Sequence, residues 1–320
     1  MMGAGPWLLL AIMAAWGCAA VAGLVRRWSW GQGWSWCLVP AVLASPLLIP
    51  ADHRGLRAAA ACIAGDLALK MVDFFRHCGW GGAHPGAYLG FLVPFPVFAV
   101  VDPDLRRRLA RPDPPGPHVL RILAGLMGLV GAVLLALAKR DAAPFRSCFP
   151  LDHAAMLVLF VVAIESISQV LFGLERLAGY DVFPIIRRAY RARSVAEFWR
   201  RYNGRVHAWL ACNVFRPSGG ARHPARGVVL VFLVSGLFHE VMFDVATAKV
   251  TGAQLAFFLL QAPAVLASRW LRPRAGRGGI AASVAARLAT ILFLAATSTL
   301  FFRGVADIFP FIYAGRSPLP

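Results

Sequence analysis

The sequence predicts an all-α, polytopic membrane protein, and three observations predict it. The chain of 320 residues is 59% hydrophobic, where soluble domains sit nearer half. Mean hydropathy is +0.64 and only 15% of residues are charged. Several apolar runs approach the roughly 20 residues that span a bilayer. The length suits one integral-membrane domain over 1–320, with no soluble module.

Net charge is +18. In a soluble protein that would suggest nucleic acid. Here the arginines lie between apolar runs and no basic-aromatic RNA motif appears, so membrane-surface contact and the positive-inside bias account for them, with no nucleic-acid partner. Arg outnumbers Lys 30 to 3, and this Arg and Ala bias points to a bacterial inner membrane. The six cysteines (18, 37, 62, 78, 148 and 212) form no CxxC pair. They read as small buried hydrophobes, with neither a disulfide framework nor a metal site.

Taken in order, the run Pro6–Val25 precedes Arg26 and Arg27, which suits a first membrane helix with its N-terminus outside rather than a cleaved signal. Trp28, Trp30, Trp34 and Trp36 crowd the approach to the run Trp36–Ile49, as an interfacial aromatic belt. The run Ala58–Val72 brings Asp66, Lys70 and Asp73 to one helix face, read first as a structural ion pair and second as functional intramembrane charge. Gly86–Val101 is broken by Pro94 and Pro96, as in a re-entrant segment. A Pro-, Asp- and Arg-rich loop follows at 102–118. Val119–Ala138 and Ala154–Leu174 are spanning helices, the second with Glu165, Ser168 and Gln169 facing the bundle. Ala253–Leu271 and Ile280–Phe302 close the chain, around a basic loop at 269–277. The expected total is about eight or nine spans. Without an internal repeat, an inverted-repeat transporter gains no support. Residues 187–226 hold ten arginines and one acid, Glu197, and face the cytoplasm by the positive-inside rule. A re-entrant Gly86–Val101 would put the basic stretches at 26–27, 104–111, 187–226 and 269–277 on that same side.

The chemistry concentrates between Ser194 and Asp244. On a helix from Gly227 to about Val245, His239 shares a face with Phe232 and Ser235, and Glu240 and Asp244 share the neighbouring one. The run His239-Glu240-Val-Met-Phe243 is not HExxH, which excludes a zinc protease. Ser235 lacks a G-x-S-x-G elbow, so a serine nucleophile is weak. Alone, one histidine in an apolar helix reads as a hydrogen-bonded structural residue. Yet desolvation keeps such a histidine neutral, and a neutral imidazole accepts a hydroxyl proton as a general base for acyl transfer. Asn203 offers orientation or oxyanion stabilisation.

At these residues the sequence resembles a family. Phe198-Trp199-Arg200-Arg201-Tyr202-Asn203 resembles the Phe–aromatic–x–x–aromatic–Asn signature of membrane-bound O-acyltransferases (MBOAT). Ser235-Gly236-Leu-Phe-His239-Glu240 resembles their Ser–small–x–x–His–acid signature. The 36-residue separation of Asn203 and His239 also fits, as does the segment from Trp209 through Asn213, Phe215 and Arg216 to Pro217. The branch it most resembles is the wax synthase-like one, the long-chain-alcohol O-fatty-acyltransferases, although Tyr202 stands where those usually carry Trp and the chain is shorter than many of them. The specific resemblance covers 194–244.

The resemblance implies His239 as catalytic base, Asn203 as its companion, and a helix bundle around a tunnel open to acyl-CoA and to a lipophilic alcohol from the bilayer. Acyl-CoA would be co-substrate, with no cofactor and no metal. Trp199, Tyr202, Ser235 and Glu240 are candidate substrate contacts. Arg200, Arg201 and Arg205 are candidate contacts for coenzyme A phosphates. His84, His153, His207 and His223 read as structural. Another acceptor, such as diacylglycerol, a sterol, a glycan or a secondary-metabolite hydroxyl, keeps the chemistry. A transporter using His239, Glu165 and Asp66 as relay groups is the alternative from a different class, and a catalytically dead scaffold the third.

Overall fold

The computed structural model describes residues 4–28, 30–77, 85–93, 112–275 and 279–314, and their side chains except at 4, 269–275 and 279–280. Pro94 and Pro96, Cys78, His84 and most of the 102–118 loop lie outside the described residues. All regular elements within them are helices. Contacts divide the chain into two compact units, Met1–Leu109 with Phe238–Thr251, and Ala110–Leu237 with Gly252–Pro320.

The first unit contains α1 (Ala4–Val25), α2 (Gly31–Ala44), a short 3-10 turn (Ser45–Leu48), α3 (Arg54–His77) and α4 (Pro85–Leu92). Ala11, Ala15, Ala19 and Ala22 recur at helical spacing on α1, and all are buried. Such small side chains let helix backbones approach closely. Tyr88 of α4 uses that closeness: its hydroxyl donates to the Ala19 carbonyl at 2.7 Å. A Cβ on Gly23 would lie 1.9 Å from the Tyr88 ring, so only glycine fits there.

On α3, Leu67, Met71 and Phe74 form the core with Tyr88, Phe91 and Val42. Asp66 and Lys70, one turn apart, make a buried ion pair at 2.9 Å. Lys70 also donates to the Leu92 carbonyl at 3.3 Å. Asp73, also buried, lies 4.0 Å from His77. The charged face of this run is therefore paired within the protein, which agrees with the structural reading of it.

The second unit contains α5 (Pro115–Asp141), α6 (Ala143–Ser147), α7 (Phe149–Leu177), α8 (Val195–Tyr202), α9 (Gly204–Leu210), α10 (Pro224–Thr247, as far as Leu237), α11 (Ala253–Ala275) and α12 (Gly279–Ile308). Pro115, Pro150 and Pro224 sit in first turns, where the missing N–H costs nothing. α5 and α7 form an antiparallel pair. A Cβ on Gly125 would meet the Ser166 carbonyl at 2.7 Å, one on Gly128 the Ser166 hydroxyl at 2.4 Å, and one on Gly173 the Ile122 side chain at 2.7 Å. Ion pairs close both ends of the pair: Lys139 with Asp152, and Arg176 with Asp113. The Arg176 bonds, with lesser help from His118, hold the Asp113 carboxyl below its ordinary pKa.

The polar face of α7 turns out to hold backbone. Ser168 accepts from the Ile186 N–H at 3.2 Å. Glu165 accepts from the N–H of Arg188, which adopts a left-handed φ of 52°. Gln169 accepts from Arg121 at 3.3 Å. His153 bonds Tyr313 at 2.7 Å and Ser298 at 3.1 Å, a structural role. Two pairings then fix the start of α9. The Gly204 N–H donates to the Ile185 carbonyl at 3.1 Å. Arg205 and Glu175, both buried, meet through two 2.6 Å bonds, and the Arg205 Nε donates to the Phe183 carbonyl at 3.0 Å.

Five helices among the described residues, α1, α5, α7, α10 and α12, are long and apolar enough to cross a membrane, in keeping with the all-α polytopic expectation. α2 is shorter, at 14 residues, and α3 carries buried charged residues. One expectation needs correction: the five described cysteines are free, and none is buried. Lipid is itself apolar, so small apolar residues in spanning helices need not turn inward. The chain is a multi-pass integral membrane protein, with residues such as Leu120, Met127 and Leu134 presented outward.

Lys70→Met strands a buried carboxylate and is expected to cost about 3–5 kcal/mol, measured as a fall in the unfolding midpoint of the detergent-purified protein. A change within about 0.5 kcal/mol, as for a surface substitution, contradicts the pairing. Arg205→Met is expected to lose a similar amount. Arg200→Ala, on an exposed residue, is expected to be near neutral in the same measurement.

Candidate active site

The first signature lies on α8. Ser194 caps this helix, its hydroxyl accepting from the Glu197 N–H at 3.2 Å. Glu197 accepts in turn from the Arg193 N–H at 2.9 Å and from Arg201 at 2.7 and 2.9 Å. Burial pushes the Glu197 carboxyl up, but these bonds outweigh it and leave the group below its ordinary value. A depressed carboxylate stabilises the fold above its unfolded pKa and loses that contribution as pH falls, so this cap holds at neutral pH. Phe198 stacks on Tyr202, ring centroids 5.2 Å apart. Burial raises the pKa of the Tyr202 hydroxyl.

Trp199 points into an aromatic cluster with Phe232, Phe257 and Phe258. Its indole N–H donates to Gln261 at 3.3 Å, and Gln261 donates to Thr297 at 3.1 Å. Trp199 thus anchors α8 onto α11. Phe232 is seven residues before His239 on α10, about two turns or 10 Å along the helix. Sequence reasoning did not single out Gln261. Its signal was present: Gln254 and Gln261 stand seven apart in the apolar stretch Ala253–Ser268, and both are fully buried.

Asn203 sits between α8 and α9. Its Oδ1 accepts from the Val206 N–H at 3.2 Å and caps α9. Its amide Nδ2 makes no hydrogen bond among the described residues, so the side chain is fixed by its oxygen with its two donors to spare. After α9 comes a π-helical turn, Ala211–Phe215, a form frequent at functional sites. Within it Asn213 is buried and donates to the Trp209 carbonyl at 3.3 Å. The Phe215 ring lies where a Cβ on Gly220 or Gly227 would come within 2.7 Å. The segment Trp209–Pro217 therefore packs through glycines on either side of a tight turn.

The second signature lies on α10. Gly236 brings this helix against α11, where a Cβ would lie 2.9 Å from the Leu255 side chain. That explains the small residue of the signature. His239 and Ser235 are half-buried, and the His239 ring lies edge-on to Phe238 at 5.9 Å. Glu240 is buried, and its Oε1 accepts from the Thr251 N–H at 3.2 Å and hydroxyl at 3.3 Å. It ties the end of α10 to the turn that follows, where Ala248 takes a φ of 57°. Asn203 and Ser235 belong to the second unit, and His239 and Glu240 to the first.

The basic candidates separate. Arg200 is exposed, without an ion pair among the described residues. Arg201 is paired to Glu197, partly exposed. Arg205 is corrected: both of its terminal nitrogens are held by Glu175 and Phe183, inside the protein, because this is where α9 needs an anchor. Two of the relay groups of the transport reading are likewise engaged, Asp66 with Lys70 and Glu165 with the Arg188 backbone.

Residues 147–302 match the model of the MBOAT, membrane-bound O-acyltransferase family. The chain is 30% identical over 207 residues to the probable long-chain-alcohol O-fatty-acyltransferase 1 of Arabidopsis thaliana, covering 57% of this chain and 58% of that one. It is 28% identical over 88 residues to diacylglycerol O-acyltransferase 1 of the same plant, covering 27% of this chain and 17% of that one. It is 29% identical over 80 residues to the probable alginate O-acetylase AlgI of Pseudomonas putida, covering 24% and 16%. The chain spans less than two thirds of the length of each of these relatives. Both signatures lie inside the segment that matches the membrane-bound O-acyltransferase family, and the long-chain-alcohol O-fatty-acyltransferases are among the proteins the chain is similar to.

Proposed function

We propose that this protein is a membrane O-acyltransferase that moves a fatty acyl group from acyl-CoA to the hydroxyl of a lipophilic alcohol, forming a wax or similar ester in a bacterial inner membrane. The observation that carries the proposal is the pair of signatures on Asn203 and His239 within a segment matched to the acyltransferase family. His239 acts as general base on the acceptor hydroxyl. A thioester already has a good leaving group, so no covalent enzyme intermediate is required. The unpartnered Nδ2 of Asn203 supports its role as a donor to the developing oxyanion. Arg200 is the best-exposed of the candidate contacts for the charged donor, with Arg201 beside it. Trp199, Tyr202, Ser235 and Glu240 shape the surroundings, Trp199 and Glu240 chiefly by holding α8 and the end of α10.

The diacylglycerol and alginate enzymes among the relatives favour a second reading, the same transfer to another hydroxyl. The test is ester formation by purified protein in lipid nanodiscs, supplied with acyl-CoA and a panel of long-chain alcohol, diacylglycerol, sterol and oligosaccharide. Alkyl ester is the expected product. Diacylglycerol acylation instead would move the acceptor class, and solute flux without any ester would contradict acyl transfer. Asn203→Asp retains the oxygen that caps α9 but removes the donors. It is expected to lower kcat about 10²–10³-fold with an unchanged unfolding midpoint. Full turnover by this variant contradicts the oxyanion role.

A further inference from the structure

The turn that leads from α7 to α8 alternates with a period of three. Ile186, Ala189, Ala192 and Val195 are all buried. Between them Arg187, Arg188, Arg191 and Arg193 are exposed, and so is Tyr190, at 54%. Backbone bonds add to the hold of the inward residues: the Arg187 N–H donates to the Arg201 carbonyl at 2.9 Å, and the Arg191 N–H to the Arg188 carbonyl at 3.0 Å. Every outward position from 187 to 193 is thus a guanidinium or a phenol on a preformed support. The Arg187 guanidinium lies 4.3 Å over the Phe183 ring, and that of Arg191 lies 5.7 Å over Tyr190. The acids between residues 165 and 197 are committed elsewhere. Glu175 pairs with Arg205, Asp181 with Arg176 and Glu197 with Arg201. Glu165 holds the Arg188 N–H and attracts its charge. Arg187, Arg191 and Arg193 keep their positive charge unmatched by any ion pair among the described residues.

The depth of this turn follows from α5 and α7. The Ile186 N–H donates to Ser168 at 3.2 Å. That places the turn beside Gln169, which Arg121 of α5 bonds at 3.3 Å. From Arg121, α5 runs without another charge as far as Lys139, a rise of about 27 Å at 1.5 Å per residue. This nearly matches the roughly 30 Å hydrocarbon core of a bilayer. The Arg121–Gln169 level is therefore the edge of the core, and the last ~13 Å of α7 stand beyond it. Asp113, His118 and Arg176 pair with one another on that outer stretch, as polar groups in reach of headgroups and water do. The outward arginines consequently lie at the depth of lipid phosphates, with Tyr190 where aromatic rings collect at membrane interfaces.

We propose that the turn Arg187–Arg193 is a docking surface for the headgroup of an anionic phospholipid in the surrounding bilayer. Arginine meets phosphate through two parallel bonds, a geometry suited to this partner. A zwitterionic headgroup also brings a phosphate, but it brings an ammonium with it. The turn has no uncommitted carboxylate to receive that ammonium, which meets only like charge. A phosphoglycerol headgroup carries no such cation. The surface therefore selects net negative headgroups rather than phosphate as such. Because the support is preformed, little order is lost on binding. The proposal stands apart from the acyl-transfer reading and uses none of its residues.

The test is native mass spectrometry of the detergent-purified full chain with equimolar phosphatidylglycerol and phosphatidylcholine. Phosphatidylglycerol is expected to be retained at least about tenfold over phosphatidylcholine, a difference near 1.4 kcal/mol. Equal retention of the two lipids overturns the proposal. Combining Arg187→Gln, Arg191→Gln and Arg193→Gln is expected to abolish the preference. Taking the same charge from the exposed Arg216, Arg222 and Arg226, again as Arg→Gln, is expected to leave it in place. Equal loss in both sets means diffuse attraction and overturns the site. Should the first triple variant fail to fold, Arg191→Gln and Arg193→Gln are each expected to weaken phosphatidylglycerol binding about fivefold, which corresponds to about 1 kcal/mol per arginine. Unchanged binding in a folded single variant counts against the site. Coenzyme A, added to the same samples, tests a soluble source of phosphate. If the triple variant loses coenzyme A binding but keeps its phosphatidylglycerol preference, the lipid assignment is overturned. Retention is read without acyl donor or acceptor, so its outcome is independent of ester formation.

Discussion

The buried pair of Arg205 and Glu175 is the interaction on which the signature region depends. Two charges taken out of water are tolerated only when their geometry is good and their remaining donors are satisfied. Here the guanidinium meets the carboxylate through two 2.6 Å bonds and gives further bonds to the Phe183 carbonyl. That fixes the first turn of α9 against the end of α7. Asn203, immediately before that turn, is thereby held as its cap, with its oxygen engaged and its amide donors to spare. Glu197, Trp199 and Gln261 hold α8 in the same way. The charges of Arg205, Glu175 and Glu197 are structural, and the amide donors of Asn203 are left without a partner among the described residues.

The same economy runs through the chain. A membrane interior gives polar groups no water to pair with, so polar side chains in apolar helices are expected to find partners within the protein. Asp66 and Lys70 find each other, Ser168 and Glu165 find backbone N–H groups, and Glu240 finds Thr251. Glu240 follows His239 directly, yet its carboxylate closes the end of α10. Its place beside the histidine thus has a mechanical explanation.

Much of this was legible in the sequence. Hydropathy and charge placed the long helices to within a few residues, as at Val119–Ala138 inside Pro115–Asp141. The signature spacing located Asn203 and His239 before any geometry. What sequence could not reach were partners distant along the chain. Nothing local to Arg205 announces Glu175, 30 residues earlier, and the arginine was read as a phosphate contact because charge alone carries no partner. The cysteines misled for a related reason. Burial rules come from proteins in water, and in lipid an apolar thiol is at ease on the outside. At α3 apolar length and buried charge coexist, and only packing shows that its charges are paired inside the protein.

The central claim is that His239 removes the proton of an acceptor hydroxyl. The most direct measurement is single-turnover ester formation by purified His239→Ala beside His207→Ala, at matched acyl-CoA and alcohol. A general base is worth about 10²–10⁴-fold. The account predicts a loss of at least that size for His239→Ala and near-normal turnover for His207→Ala. Equal, near-normal turnover by both variants would contradict it.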